Sequence, residues 1–227
     1  MRLMLWEKSD ILSNNVIDYI GSNWDKEWFH SGNVTNPEPL KKNLQMDQNN
    51  IFQNYYEAAM KELTVSKCMN GVFLCTKQAV PMFSWYHEGH EYGYHIDDYP
   101  IRNVYPNLNW TCYLNDDFEG GELVVKVGNV EIVTKPKKGK FIIYDSSLYH
   151  RVNPVTKGDR RVMIGFMESE IKDSYHRNLA IDYALTCQGI MEKIRPHFEE
   201  DQQGYIDIKK ELLQFRYSLL RNYGRSD

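Results

Sequence analysis

The sequence predicts an α+β fold, a double-stranded β-helix (jelly roll) core with flanking N- and C-terminal helices. Two patterns predict it. Between residues 72 and 166 short β-rich runs alternate with turn signals, as closely spaced strands require. On both sides of that stretch apolar residues recur at helical spacing instead. A length of 227 residues suits one sizeable domain, and 42% hydrophobic with 26% charged residues is ordinary for a globular protein. The expected organisation is a single structural domain, with helical support over 1–70, the β-helix core over 71–170 and C-terminal helices over 171–227.

Taken in order, Ser9 stands where a helix cap belongs, ahead of Leu12, Val16, Ile17 and Ile20, and Gly21 would end that helix. Residues 31–42 are polar and hold two prolines, so they read as irregular or extended. A helical stripe returns over 50–63 with Ile51, Phe52, Tyr55, Tyr56, Ala59, Met60 and Leu63. Stripes of this kind are core faces, here expected to buttress one sheet. Residues 122–127 and 130–134 alternate around Gly128-Asn129, the pattern of a two-residue hairpin. Pro136-Lys137-Lys138-Gly139 then turns the chain into a strand over 140–144. Helices are expected over 173–194 and 206–223, split by Arg195-Pro196 and the acidic Glu199-Glu200-Asp201. The last one has an apolar face of Leu212, Leu213, Phe215, Leu219 and Leu220 and a basic one of Arg216, Arg221 and Arg225, suited to docking on the core or on a second subunit.

Composition removes several function classes. A net charge of −4 gives no general electrostatic reason to bind nucleic acid. The four cysteines form no C-x-x-C pair, which argues against a disulfide framework or zinc ribbon and for reduced thiols. The first twenty residues contain acids and amides with no apolar signal-peptide core, and no run is long enough to span a membrane. A cytoplasmic location without a membrane partner is expected.

The chemistry concentrates in His95, Asp97, His150 and Arg160. Two imidazoles and one carboxylate are the facial ligand set of a non-haem Fe(II) oxygenase, which leaves the remaining positions open for a cosubstrate and O₂. His95-Ile96-Asp97 follows a run that reads as strand, where i and i+2 share a side, so Ile96 and Asp98 would point away. His150 must come from a second strand. Arg160 opens a β-rich run in which it shares a face with Val162, Ile164 and Phe166, while Arg161 points the other way. A guanidinium in an apolar-walled pocket can take both oxygens of the distal carboxylate of 2-oxoglutarate. A rival zinc site from His87, His90 and His95 fails, because Gly89 and Gly93 break a helix there and no cysteine ligand follows. His87 and His90 are expected on the way into the active site, gripping substrate.

The runs Tyr86-His87-Glu88-Gly89 and Tyr94-His95-Ile96-Asp97, then Cys112-Tyr113-Leu114-Asn115 with Glu119-Gly120-Gly121-Glu122-Leu123, then Tyr144, Ser146-Ser147, His150-Arg151-Val152, Pro154-Val155, Gly158 and Arg160 carry a family resemblance. Together they resemble the catalytic core of 2-oxoglutarate/Fe(II) dioxygenases of the prolyl 4-hydroxylase class, most closely PKHD-type hydroxylases. Lys41-Lys42-Asn43-Leu44-Gln45 and Ser218-Leu219-Leu220-Arg221-Asn222-Tyr223 extend the resemblance over nearly the whole chain. It implies that Tyr113 and Tyr86 reach 2-oxoglutarate beside Arg160. The segment 98–109 departs from the family pattern; with Tyr99, Pro100, Arg102 and Tyr105 it is expected to form a mobile flap that touches substrate.

The implied activity is hydroxylation of a substrate C–H with Fe(II), 2-oxoglutarate and O₂, releasing succinate and CO₂, with ascorbate as the reductant that keeps iron ferrous. A prolyl side chain in a peptide or protein is the implied substrate; small molecules stay open, as does a homodimer. Two alternatives compete: an oxidative demethylase of nucleic acid or protein, and a non-catalytic jelly-roll metal-binding or sensor module. The second has no use for a cosubstrate anchor, so Arg160 argues against it.

Overall fold

The computed structural model describes residues 4–34 and 41–224. Part of the polar stretch 31–42, and Arg225 of the basic helix face, lie outside the described residues. In chain order the strands are β1 (Leu5–Lys8), β2 (Phe29–Ser31), β3 (Leu44–Met46), β4 (Cys75–Gln78), β5 (Met82–Tyr86), β6 (Tyr92–His95) and β7 (Leu108–Tyr113). They continue with β8 (Glu119–Gly120), β9 (Leu123–Val127), β10 (Val130–Val133), β11 (Phe141–Asp145), β12 (His150–Val152), β13 (Val155–Lys157) and β14 (Arg160–Ser169). The helices are α1 (Asn14–Gly21), α2 (Asn50–Leu63), α3 (Ser174–Ile194) and α4 (Gln202–Tyr223).

The strands form a major sheet in the order β1-β11-β7-β14-β5-β3-β2, with β4 also on β14, and a minor sheet in the order β10-β9-β12-β6. The pairings are antiparallel. This is the expected jelly roll, with helices near both termini. The hairpin forms with Val130 opposite Val127. The first 70 residues do more than supply helices, since β1, β2 and β3 all join the major sheet.

Strand alternation divides the core in two. Trp110, Cys112, Phe141, Ile143, Met163, Phe83 and Trp85 face outward and pack with Ile17 and Ile20 of α1 and Phe52, Tyr55 and Ala59 of α2. Tyr86, Tyr113, Ile142, Tyr144 and Val162 face inward and meet Leu123, Val125 and Val152 of the minor sheet. Gly165 is required by the outward layer: a Cβ there would lie 2.1 Å from the Trp110 indole.

Helix ends differ from the sequence reading where side chains from elsewhere intervene. α1 is capped by Ser13, not Ser9: Asp10 has φ 61, which breaks helix propagation, and Glu62 of α2 grips the Ser13 amide and hydroxyl at 2.6 and 2.7 Å. α4 starts at Gln202 rather than 206, because Asp201 of the acidic run accepts from the Gly204 amide at 2.9 Å and acts as its cap. No helix among the described residues is long and apolar enough to cross a membrane.

Candidate active site

β6 and β12 are neighbours in the minor sheet, and their register places His150 directly opposite His95. Cross-strand partners project to the same face, so both imidazoles enter the barrel with ring centroids 4.1 Å apart. Each ring is oriented through Nδ1, on the Gly93 carbonyl for His95 (2.9 Å) and the Leu148 carbonyl for His150 (3.1 Å). A ring that donates from Nδ1 keeps the Nε2 lone pair for a metal.

Asp97 completes the group by a different route from the one expected. β6 ends at His95, so alternation along a strand does not deliver the carboxylate. Asn109 on β7 holds it instead, donating to Oδ2 at 2.7 Å. The Asp97 oxygens lie 3.5 Å from His95 Nε2 and 3.3 Å from His150 Nε2. One donor atom from each of the three residues falls within 4.8 Å of the others. Ligands about 2.1 Å from a common ion lie roughly 3–4 Å apart, so this N,N,O set fits a metal. Burial pushes the Asp97 carboxyl up, but charge and hydrogen bonds from His150 and then His95 overcome it and hold the group well below the usual carboxylate range. Burial likewise pushes His150 down, and Asp97 reverses the shift.

The cavity beside this group is lined by Arg160, Tyr86, Tyr144, Thr111, Lys41, Asn43 and Gln45, with apolar Met82, Ile101, Ile164 and Phe166. Arg160 is 1% exposed, and its Nε and Nη1 are buried without a protein partner. Its guanidinium lies 4.7 Å from the Tyr86 ring centre and 5.3 Å from that of Tyr113. Gly121 (φ 63) makes room for it, since a Cβ there would come within 2.9 Å of Arg160 Cδ. Buried donors left over in a cationic fork match the carboxylate of 2-oxoglutarate. Arg161 takes the opposite face, over Trp85 and bonded to the Gly21 carbonyl.

The remaining sequence candidates fall elsewhere. The Tyr113 hydroxyl bonds Thr134 Oγ1 (3.1 Å) and accepts from the Leu123 amide (3.3 Å), and Tyr113 is absent from the cavity lining. His87 stands on the Trp85 side with Nδ1 bonded to Asp159 (2.6 Å), and His90 bonds the His87 amide. Neither histidine lines the cavity. Tyr99 is 67% exposed and packs edge-on against Tyr105, and Arg102 lines a separate depression with Gln48 and Pro81. The segment 98–109 reaches the cavity through Asp98 and Ile101 and is tied to its surroundings at several points. Ile101 and Val104 exchange backbone hydrogen bonds, Glu168 accepts from the Tyr105 amide, Lys77 donates to the Asn103 carbonyl, and Leu108 and Asn109 already belong to β7.

Asn109, Tyr144, Lys41, Asn43 and Gln45 went unassigned in the sequence. The last three lie in the run Lys41-Lys42-Asn43-Leu44-Gln45, where a charged Lys42 between them hides the alternation that the strand imposes. Burial pushes the Lys41 ammonium down to about 8 against the pull of Asp97 and Asp98.

Comparison with known proteins agrees with this geometry. Residues 81–168 match the model of the 2OG-Fe(II) oxygenase superfamily. A PKHD-type hydroxylase of Idiomarina loihiensis is 28% identical over 97% of this chain and 99% of its own length. Another, from Sphingopyxis alaskensis, is 33% identical over 66% of this chain and 72% of its own. The chain belongs to the PKHD-type hydroxylases. As a member of that group it is an oxidoreductase of the 2OG-Fe(II) oxygenases, a family that implies Fe(II) and 2-oxoglutarate. Among solved structures, a Pseudomonas putida prolyl-4-hydroxylase shares the fold of this PKHD-type hydroxylase, with TM-score 0.56 and 17% identity over 74% of this chain and 93% of that one.

Proposed function

We propose that this PKHD-type hydroxylase hydroxylates a C–H bond of a prolyl residue in a peptide or protein, consuming 2-oxoglutarate and O₂ and releasing succinate and CO₂. The observation that carries the reading is that one cavity contains both the His95, Asp97 and His150 group and an Arg160 with unpartnered buried donors. His95, Asp97 and His150 would hold Fe(II). When bound, iron supplies the redox chemistry that couples decarboxylation of 2-oxoglutarate to transfer of one oxygen atom to substrate.

The protein's own residues orient and exclude. Arg160 holds the distal carboxylate of 2-oxoglutarate, and the Tyr86 phenol supports it from the same wall. Tyr113 packs against the guanidinium, so the part we assign it is to hold Arg160 in place. Asn109 fixes the Asp97 carboxylate, and the Gly93 and Leu148 carbonyls fix the two imidazoles. Met82, Ile164 and Phe166 keep water from the reacting carbon. Ascorbate would serve as external reductant. The prolyl assignment draws on the fold shared with a prolyl-4-hydroxylase and on a cavity with one apolar wall.

The test is to supply Fe(II), 2-oxoglutarate, ascorbate and proline-containing peptides, then measure succinate and a mass gain of one oxygen. Succinate with an oxidised prolyl residue is expected. Succinate with oxygen gained only on other compounds would overturn the prolyl assignment, and no succinate under any condition would overturn the oxygenase reading.

A further inference from the structure

Tyr86, Tyr113 and Tyr144 all belong to the inward layer of the major sheet, and their hydroxyls are disposed differently. Tyr113, which the family resemblance places against 2-oxoglutarate, has its hydroxyl between Thr134 Oγ1 and the Leu123 amide and does not line the cavity. Tyr86 stands at the Arg160 end, where Asn43 and Arg160 hydrogen-bond its phenol. Tyr144 on β11 lines the cavity, with its ring centre 5.0 Å from that of His150.

The register of β11 on β7 sets Tyr144 directly opposite Asn109. The Asn109 amide donates to Asp97 Oδ2 at 2.7 Å and also bonds the Tyr144 phenol, in the sense that favours the ionised phenol, so its N–H donates to the phenol oxygen. Asn109 Oδ1 is buried without a partner, which agrees: the phenol does not donate to it. The Tyr144 O–H is left as a donor, and nothing among the described residues accepts it. Buried hydroxyls rarely go without an acceptor, so one facing a cavity matches an acceptor on the ligand. Asp97 and Arg160 both act on this phenol through their charges, which places it between the metal-binding group and the cosubstrate anchor, the two points that 2-oxoglutarate must join.

Resting on the oxygenase reading above, we propose that Tyr144, in place of Tyr113, donates a phenol hydrogen bond to 2-oxoglutarate. Tyr113 then acts only by bracing Arg160, and the Asn109 amide serves two ends of the site at once, holding Asp97 with one N–H and orienting the Tyr144 phenol with the other.

The experiment titrates 2-oxoglutarate calorimetrically into the full chain saturated with Zn(II), as the unmodified protein and as Tyr144→Phe and Tyr113→Phe. Each variant loses a hydroxyl and keeps its ring. Tyr144→Phe should weaken 2-oxoglutarate binding about 10- to 100-fold, the size of a hydrogen bond to a charged group, and Tyr113→Phe should change it by less than about threefold. Co(II) affinity, read from the visible spectrum, should stay within about threefold in Tyr144→Phe. In unmodified protein labelled with 13Cζ-tyrosine, 2-oxoglutarate should shift the Tyr144 resonance, identified by its loss in Tyr144→Phe, more than that of Tyr113. Unchanged 2-oxoglutarate affinity in Tyr144→Phe overturns the proposal, as does a loss in Tyr113→Phe of equal size or a Tyr144 resonance that does not move. A fall in Co(II) affinity as large as the fall in 2-oxoglutarate affinity also overturns it, because the hydroxyl would then act on the metal through Asn109. Failure of the oxygenase reading shows separately, as absence of succinate from the iron-loaded unmodified protein.

Discussion

At the scale of single residues, Arg160 and Arg161 are neighbours in sequence with opposite surroundings. Arg160 has two buried, unpartnered nitrogens in the cavity, whereas Arg161 lies outside it over Trp85, with Nη1 on the Gly21 carbonyl and only Nε unpartnered. Losing a charge-assisted pair at a buried site costs about 2–5 kcal/mol, so Arg160→Ala should weaken 2-oxoglutarate binding by roughly 30-fold to several thousand-fold. Arg161→Ala should change it by less than about threefold, and calorimetric titration of both variants checks the ranking. For the metal, His95→Ala and His150→Ala should each abolish tight Co(II) binding, read from the visible spectrum; retention of unmodified affinity by either would remove that histidine from the ligand set. The two arginines were separable in the sequence by alternation, and His150 was marked as the third ligand by its residue type in the motif, while its place directly opposite His95 came from the strand register. Asn109 was not marked, because its bond to Asp97 joins residues on separate elements.

At the scale of elements, the turn that presents His150 is tied to the C-terminal helices. Asp145 at the end of β11 accepts from the Ser147 amide at 3.0 Å and hydroxyl at 2.7 Å, and its carbonyl accepts from the Leu148 amide. The same carboxylate is paired with Arg177 of α3, and both side chains are nearly inaccessible. Removing one partner of a buried pair leaves the other charge without compensation, at about 3–5 kcal/mol. Arg177→Met should destabilise the fold by that order in urea unfolding, and should weaken Co(II) binding because Leu148 also orients the His150 ring. Trp6→Phe is the control. It loses the indole bond to Asp182 of α3 and part of the packing on Phe73, away from the metal ligands, so it should lower stability without changing metal affinity. The existence of α3 was legible from its apolar spacing, but Asp145 and Arg177 are 32 residues apart and no local pattern joins them.

At the scale of the whole molecule, the major sheet draws strands from β1 at residues 5–8 to β14 at 160–169, and β14 sits between β7 and β5. Helices α3 and α4 reach the same body through Ile171, Ala180 and Leu219 packed on Leu74. Layers built from such distant segments are expected to unfold together, with the C-terminal helices included. Urea unfolding followed by far-ultraviolet and near-ultraviolet circular dichroism should therefore give coincident single transitions. Separated midpoints would mean that the C-terminal helices form an independent unit.

What the sequence determined by itself was whatever repeats locally. Period-two runs marked the strands of the barrel, period-3.6 runs marked α2 and α3 almost to the residue, and the spacing of His95, Asp97, His150 and Arg160 marked the chemistry. Tertiary structure decided the rest because it depends on groups brought together from separate elements. Glu62 moved the start of α1, and Asn109, not strand alternation, positioned Asp97. Bonds to Glu168 and Lys77 tie the segment 98–109 to β14 and β4, and pairing of β3 with β5 turned a polar run at 41–45 into a wall of the active site. A side chain's type and neighbours in sequence set which bonds it can make, but its partner is chosen only when the sheets close over one another.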